Sequence, residues 1–278
     1  MKHQLLNNVV KNKLVKNKLV IASITGLLSQ GCLAEGSPWL AQPGLTSISL
    51  TQVYQSSDEI KKLPVKVKLS QNTSWLSINH GLSDDLAIDF KTGYAESREE
   101  SGLTDTNLGL SWRLADEFIE DSLPTTTLRA GIIIDGDYDT GSPHAIGDGA
   151  NGVEVSLLAG KVLQSWMAVS AELGYRKRTS GVPDDIFYSA GIHFLPTDSL
   201  STSLSYRYTD ARDGLSVGGP GFDGTNFNRL EEDVELLDFN ISYSFNPALS
   251  LGLNAARVAD GKNTANNEVF AATLGYSF

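Results

Sequence analysis

Apolar and polar residues alternate along stretches of about ten residues from Gly44 to the C-terminus, and this period of two confines the chain to β-structure with two unlike faces. In the last stretch Phe270, Ala272, Leu274, Tyr276 and Phe278 share one face, and Ala271, Thr273, Gly275 and Ser277 share the other. Leu237, Phe239, Ile241, Tyr243 and Phe245 oppose Asp238, Asn240, Ser242 and Ser244 in the same way, as Met167, Val169, Ala171, Leu173 and Tyr175 oppose Ser170, Glu172, Gly174 and Arg176. A soluble sandwich also alternates, but it buries its bulky face and tolerates charge outside. Here the polar face is rich in Gly and Ser with scattered charges, which suits a wet or salt-bridged barrel interior, with the apolar face against lipid.

Counted this way, the strands fall at 44–55, 69–80, 86–96, 105–114, 125–135, 152–163, 166–178, 185–195, 199–210, 233–245, 249–259 and 267–278, an even twelve. Short turns at 81–85, 164–165, 196–198 and 246–248, with a longer one at 115–124, alternate with polar connections at 56–68, 97–104, 136–151, 179–184, 211–232 and 260–266. Bacterial outer-membrane barrels place short turns in the periplasm and long loops outside, and both termini would then be periplasmic. Tyr54, Tyr94, Tyr175, Tyr188 and Tyr208 lie beside long loops, and Trp112, Trp166, Phe194, Phe245 and Phe278 beside short turns or the terminus, as two interfacial girdles require. The expected fold is all-β, a single antiparallel transmembrane β-barrel over 44–278 in the outer membrane of a Gram-negative bacterium.

The N-terminus differs in kind. Lys2, Lys11, Lys13, Lys16 and Lys18, with no acid, precede an apolar run from Leu19 to Leu28, and small residues follow. This is the pattern of a secretory signal peptide over 1–34, cleaved after Ala34. Residues 35–43 would be a short periplasmic segment. Cys32, in Ser29-Gln30-Gly31-Cys32, is an alternative lipidation site. Losing five lysines leaves 244 residues with 17 bases against 33 acids, a net charge of −16. That balance opposes nucleic-acid binding. One cysteine makes no disulfide framework, no His/Cys spacing resembles a metal site, and no cofactor is expected. No stretch beyond the N-terminus approaches the roughly 20 apolar residues of a spanning helix.

Several short segments carry a family resemblance: Trp39-x-x-Gln42-Pro43-Gly44, Ile78-Asn79-His80-Gly81-Leu82-Ser83-Asp84, Thr104-Asp105-Thr106-Asn107-Leu108-Gly109-Leu110, Ile146-Gly147-Asp148-Gly149, and Glu172 to Arg178 followed by Pro183-Asp184-Asp185. Together they resemble the outer-membrane barrels grouped as the "MetA-pathway of phenol degradation" family, often described as transporters. The resemblance implies a barrel channel for small molecules, aromatic or poorly soluble ones among them, and implies no enzymatic activity. The terminal Tyr276-Ser277-Phe278 resembles the aromatic signal read by the barrel-assembly machinery.

The register sends Asp89, Lys91, Arg113, Arg129, Glu154, Glu172, Arg176, Arg207 and Asp238 into the lumen, with Arg178, Asp135 and Asp185, so that six bases face six acids. Such balance does not favour strong ion selectivity. Two readings stand. In one, neighbours pair, Arg176 with Asp185 and Arg207 with Asp238; in the other, Arg113, Arg129 and Glu172 line a constriction. Inward glycines such as Gly93, Gly109, Gly131 and Gly174 either bend strands or leave a solute path. The loop from Asp135 to Gly141 alternates carboxylates like a calcium loop but lacks its Gly and Glu positions, so it reads as a solvated acidic loop. The connection 211–232, rich in Gly, reads as a mobile loop or a gate over the mouth.

Catalysis finds little support. Ser189 and His193 share a face but stand about 13 Å apart at strand rise, and His80 and His144 sit in a turn and a loop without a Ser/Asp catalytic signature. The expected function is passive movement of small, including hydrophobic or aromatic, molecules by a monomer embedded in outer-membrane lipid and lipopolysaccharide. The alternatives are a structural or adhesive barrel and, further off, a lipid-acting barrel enzyme.

Overall fold

The structure, a computed structural model, describes residues 36–61, 66, 68–120 and 122–278. The signal peptide expected over 1–34, Cys32 included, lies outside the described residues.

Thirteen strands run through the described residues: β1 (Thr46–Ser57), β2 (Leu69–Gly81), β3 (Leu86–Ser97), β4 (Ser101–Leu103), β5 (Thr106–Ala115), β6 (Thr125–Ile134), β7 (Gly152–Gln164), β8 (Met167–Arg178), β9 (Asp184–Thr197), β10 (Leu200–Arg212), β11 (Asp233–Ser244), β12 (Leu249–Lys262) and β13 (Glu268–Ser277). All pair antiparallel with their neighbours. β1 joins both β2 and β13, and β2 also joins β3, so the sheet closes on itself. The seam is drawn shut by Thr46 N donating to Phe278 O at 2.8 Å and Phe278 N donating to Thr46 O at 2.9 Å. Closure leaves no strand edge, the condition for a sheet to cross a bilayer.

The twelve expected strands are all present, with ends within three residues of those predicted. The extra strand is a finding. β4 and β5 form one stave against β3, with Leu103 opposite Tyr94 and Asn107 opposite Lys91. Residues 104–106 therefore stand opposite 92 and 93, a β-bulge with one residue too many.

Side-chain burial is inverted relative to a soluble domain. Leu50, Leu110, Ile132, Leu173, Leu204, Phe239, Leu253 and Leu274 are exposed on the outer face, whereas Thr51, Thr73, Ser111, Thr127, Ser156, Ser242 and Thr273 are buried inside. Tyr54, Tyr94, Tyr175 and Tyr188 ring the long-loop end, and Trp112, Trp166, Phe245, Tyr276 and Phe278 ring the short-turn end. Trp166 stacks on Phe194 with ring centroids 6.2 Å apart.

Two inward aromatics lie over glycines of the adjacent strand. Trp75 stands opposite Gly93 and Phe187 opposite Gly174. A Cβ on Gly174 would sit 2.2 Å from the Phe187 ring, so only glycine leaves the ring room to lie flat across the wall. On one side of the interior Val53, Ala256, Val269 and Ala271 pack with Trp75 and Leu236 into a small apolar cluster.

Candidate functional site

The segment before β1 does not hang below the barrel. Residues 36–43 turn back into it at the short-turn end. Gly44 takes φ +79°, a left-handed value that lets the chain reverse into β1. Gly81 then makes room: a Cβ there would lie 2.1 Å from the Gln42 carbonyl oxygen. Gly160 does the same for the other end of the strap, where a Cβ would meet the Trp39 ring at 2.6 Å and Pro38 at 2.7 Å. Trp39, only 4% exposed, packs against Ala168, Phe118, Val162 and Leu195, with the His193 ring edge-on at 5.9 Å. Its Nε1 donates to Glu117 Oε1 at 3.1 Å, and Thr127 Oγ1 donates to the Pro38 carbonyl at 2.8 Å. Gly36 reaches the level of Arg129 and Leu158.

Beside the strap, the inward charges form a chain. Arg129 Nη2 lies 2.7 Å from Asp89 Oδ2, and Arg129 Nη1 also pairs with Glu154. Arg176 continues it, with Nε 3.2 Å from Glu154 Oε2 and Nη1 3.6 Å from Asp185 Oδ2. Acids and bases alternate across β3, β6, β7, β8 and β9, which compensates charges held away from bulk water. The Arg176–Asp185 pair is as expected. Arg207 instead reaches Glu172, at 3.6 Å, and Asp238 receives a hydrogen bond from Asn254 Nδ2 at 2.6 Å. In the register Arg207 stands opposite Leu236, two residues from Asp238, and its side chain reaches across β9 to Glu172 on β8. Lys91 lies over the Trp75 ring, 4.6 Å from its centroid.

Arg113 is not part of a constriction. At the short-turn end of β5 it bonds Asp116 Oδ2 at 2.6 Å, bracing the turn that carries Glu117. Asp135 is exposed beyond the end of β6.

Between the strap and β8–β11 a cleft of about 90 Å³ remains. Ser170, Ser189, Ser203 and Ser205 line it, with Glu172, Arg207, Asp238 and Asn240. Ser170 Oγ and His193 Nε2 are 2.9 Å apart, a contact from β8 to β9 that spacing along one strand could not reveal. His193 Nδ1 has no hydrogen-bond partner among the described residues, so no acid orients this ring as a general base.

At the long-loop end the loops fold together. The β4–β5 bulge presents Asp105, which accepts hydrogen bonds from Tyr138 Oη at 2.5 Å, Gly136 N at 3.1 Å and Arg178 Nη2 at 2.8 Å. Burial, followed by that bond to Asp105, pushes the Tyr138 phenol up. The connection read from sequence as 211–232, a mobile loop or a gate, spans 213–232 and is internally bonded: Leu215 N donates to Arg229 O at 2.7 Å, and Glu231 N to Leu215 O at 2.8 Å. Its glycines serve turns, with φ +73° at Gly218 and +84° at Gly224. Phe227 N donates to Gly141 O at 3.2 Å, joining it to the 135–151 loop. Asp137 and Asp139 are exposed, and no group of three acids or histidines able to hold a metal ion occurs among the described residues.

The joined loops enclose a second cavity of about 250 Å³. Asp148 and Glu232 both line it, each keeping solvent-accessible surface although surrounded by protein. Burial pushes Asp148 up, and it pushes Glu232 up to about 7, with Asp148 and Asp233 adding repulsion and a Thr264 hydrogen bond opposing the rise.

A family model described as the MetA-pathway of phenol degradation matches residues 65–274. The chain belongs to this family. Among solved structures, the COG4313 outer membrane channel from Pseudomonas putida F1 is similar at TM-score 0.67 and 15% identity, over 88% of this chain and all of that one. The KdgM porin in complex with disordered oligogalacturonate is similar at TM-score 0.55 and 10% identity, over 83% of this chain and 99% of that one. At such identities the likeness is one of fold. No curated protein matches the chain.

Proposed function

We propose that the protein is an outer-membrane channel through which small molecules, hydrophobic and aromatic ones included, pass passively. One observation carries the reading: the strap does not fill the barrel but leaves a cleft bounded by Ser170, Ser189, Ser203 and Ser205. Family membership and the channel and porin descriptions of the similar structures support it. On this reading the short-turn end is periplasmic and the long-loop end extracellular.

The nine lumen charges then divide by role. Glu172, Arg207 and Asp238 border the cleft and meet the solute. Asp89, Arg129, Glu154 and Arg176 sit in the paired chain that props the wall, Lys91 lies on Trp75, and Arg113 braces the turn below. With charges so paired, the cleft offers hydroxyls rather than a field, and it favours neutral solutes over ions. The outer face meets lipid and lipopolysaccharide, Tyr276 and Phe278 serve the assembly machinery, and the closed barrel acts as a monomer.

Single-channel recording of the refolded protein in planar bilayers, with and without small aromatic solutes, tests the reading. Discrete openings that such solutes reduce are expected. A folded barrel that never conducts would overturn it in favour of a structural role.

A further inference from the structure

The cavity beneath the extracellular loops has a lining unlike the cleft below. Gln55, Gln71, Asn228, Asn263 and Asn267 bring five carboxamides to it, and Asp148 and Glu232 bring two carboxyl groups. No Lys or Arg lines it among the described residues. The other wall is apolar, with Ile60, Ile146, Phe227 and Leu230, and the Phe227 ring is held edge-on by Phe222 at 5.1 Å.

Two of these carboxamides, both partly open to solvent, have no partner within the described protein. The side chains of Gln55 and Asn267 make no hydrogen bond among the described residues, although neighbouring Gln71 bonds Thr73 and Asn228 bonds Thr140. Gln55 stands opposite Gln71 across β1 and β2, and Asn267 leads into β13 on the other side of β1, so the free amides converge from adjacent staves. An amide both donates and accepts, and a carboxylate only accepts. A set of both complements adjacent hydroxyl groups, each of which donates once and accepts. The apolar wall complements the C–H face of a saturated ring.

We propose that this vestibule binds a neutral polyhydroxyl solute about the size of one sugar ring. The cavity is slightly below the roughly 300 Å³ at which small-molecule pockets begin, which excludes an extended chain from full enclosure. A carboxylate-bearing sugar is disfavoured, because Asp148 and Glu232 face the cavity and the one basic group in its lining, the His144 imidazole, already lies 3.4 Å from the Glu99 carboxylate. A bare ammonium would use the acids and leave the amides unpaired.

The inference goes beyond the transport reading, and binding here does not require that the barrel conduct. The test uses the protein purified from outer membranes into a sugar-free zwitterionic detergent, with saturation-transfer NMR to glucose, glucuronate and glucosamine. Saturation is expected to reach glucose and to be much weaker for glucuronate. The double variant Gln55→Leu/Asn267→Leu, verified as folded by its heat-modifiable gel mobility, is expected to bind glucose about tenfold more weakly. No transfer to glucose from the folded protein would overturn the proposal. So would an unchanged signal in the double variant, or transfer to glucosamine that glucose does not displace, which would mark a cation site. Failure of the bilayer recordings would leave these outcomes as they stand, so the two readings fail separately.

Discussion

Trp39 and Glu117 meet inside the barrel: the indole Nε1 of the N-terminal strap donates to Oε1 of a carboxylate from the β5–β6 turn at 3.1 Å, and each residue is 4% exposed. The second oxygen, Oε2, accepts from Val162 N at 2.9 Å, with Lys161 Nζ 3.6 Å away. Glu117 thus ties strap, turn and wall at one point. Trp39→Ala is expected to raise single-channel conductance severalfold by freeing the strap, and Glu117→Gln to raise it less, since an amide keeps one acceptor. Unchanged conductance in both would show that the strap does not restrict flow.

Glu154 is the middle of the ion chain, 1% exposed at its side chain and paired to both Arg129 and Arg176. Glu154→Gln leaves two guanidinium groups short of charge, a loss of about 3–5 kcal/mol for a buried pair. Asp89→Asn is expected to cost less, because Asp89 is 19% exposed and Arg129 keeps Glu154. Urea unfolding in lipid vesicles gives both values, and equal costs would contradict the ranking.

Two adjacent residues of β12 test which face is which. Leu253 is exposed on the outside, and Asn254 is buried inside against Asp238. Leu253→Arg places charge at lipid and is expected to cost about 2–4 kcal/mol in bilayers. Asn254→Ala strips the bond to Asp238 and is expected to cost about 1–3 kcal/mol. A well-tolerated Leu253→Arg would place that face away from the hydrocarbon.

Loop closure is expected to depend on pH through Glu232. Its carboxyl is raised from an ordinary 4.5 to about 7 by burial and then by Asp148 and Asp233, against a Thr264 hydrogen bond. The closed loop therefore holds a proton that the opened loop releases. Closure is strongest below about 4.5 and weakens as pH rises toward about 7. Hydrogen exchange at the Phe227 and Glu231 amides, corrected for intrinsic rates, should show protection falling across that window, and Glu232→Gln should flatten it. A persistent fall in the variant would assign the effect to Asp148, also raised by burial.

The sequence by itself determined the strands, their number as staves and the direction of their faces. A one-residue slip would turn Leu237, Phe239 and Ile241 inward and Asp238 and Asn240 to lipid, so the alternating pattern admits one register. It also determined the girdles and the alternation of short and long connections, because each is written in residues next to one another.

The lumen was less legible. That Arg176 faces Asp185 follows from adjacent staves, but Arg207 reaches Glu172 and Arg113 turns to Asp116 because strand tilt and side-chain lean decide which inward groups meet. The inward strap had faint signals in Trp39 and Leu40, apolar in a segment read only as short and periplasmic, and in Gly81 and Gly160 within strands. Only closure of the sheet created the enclosed surface that buries Trp39, brings Ser170 to His193 and gathers Gln55, Asn267, Asp148 and Glu232 around one cavity. Period-two patterning fixes where a side chain points, whereas its partner across a barrel depends on staves far apart in the chain.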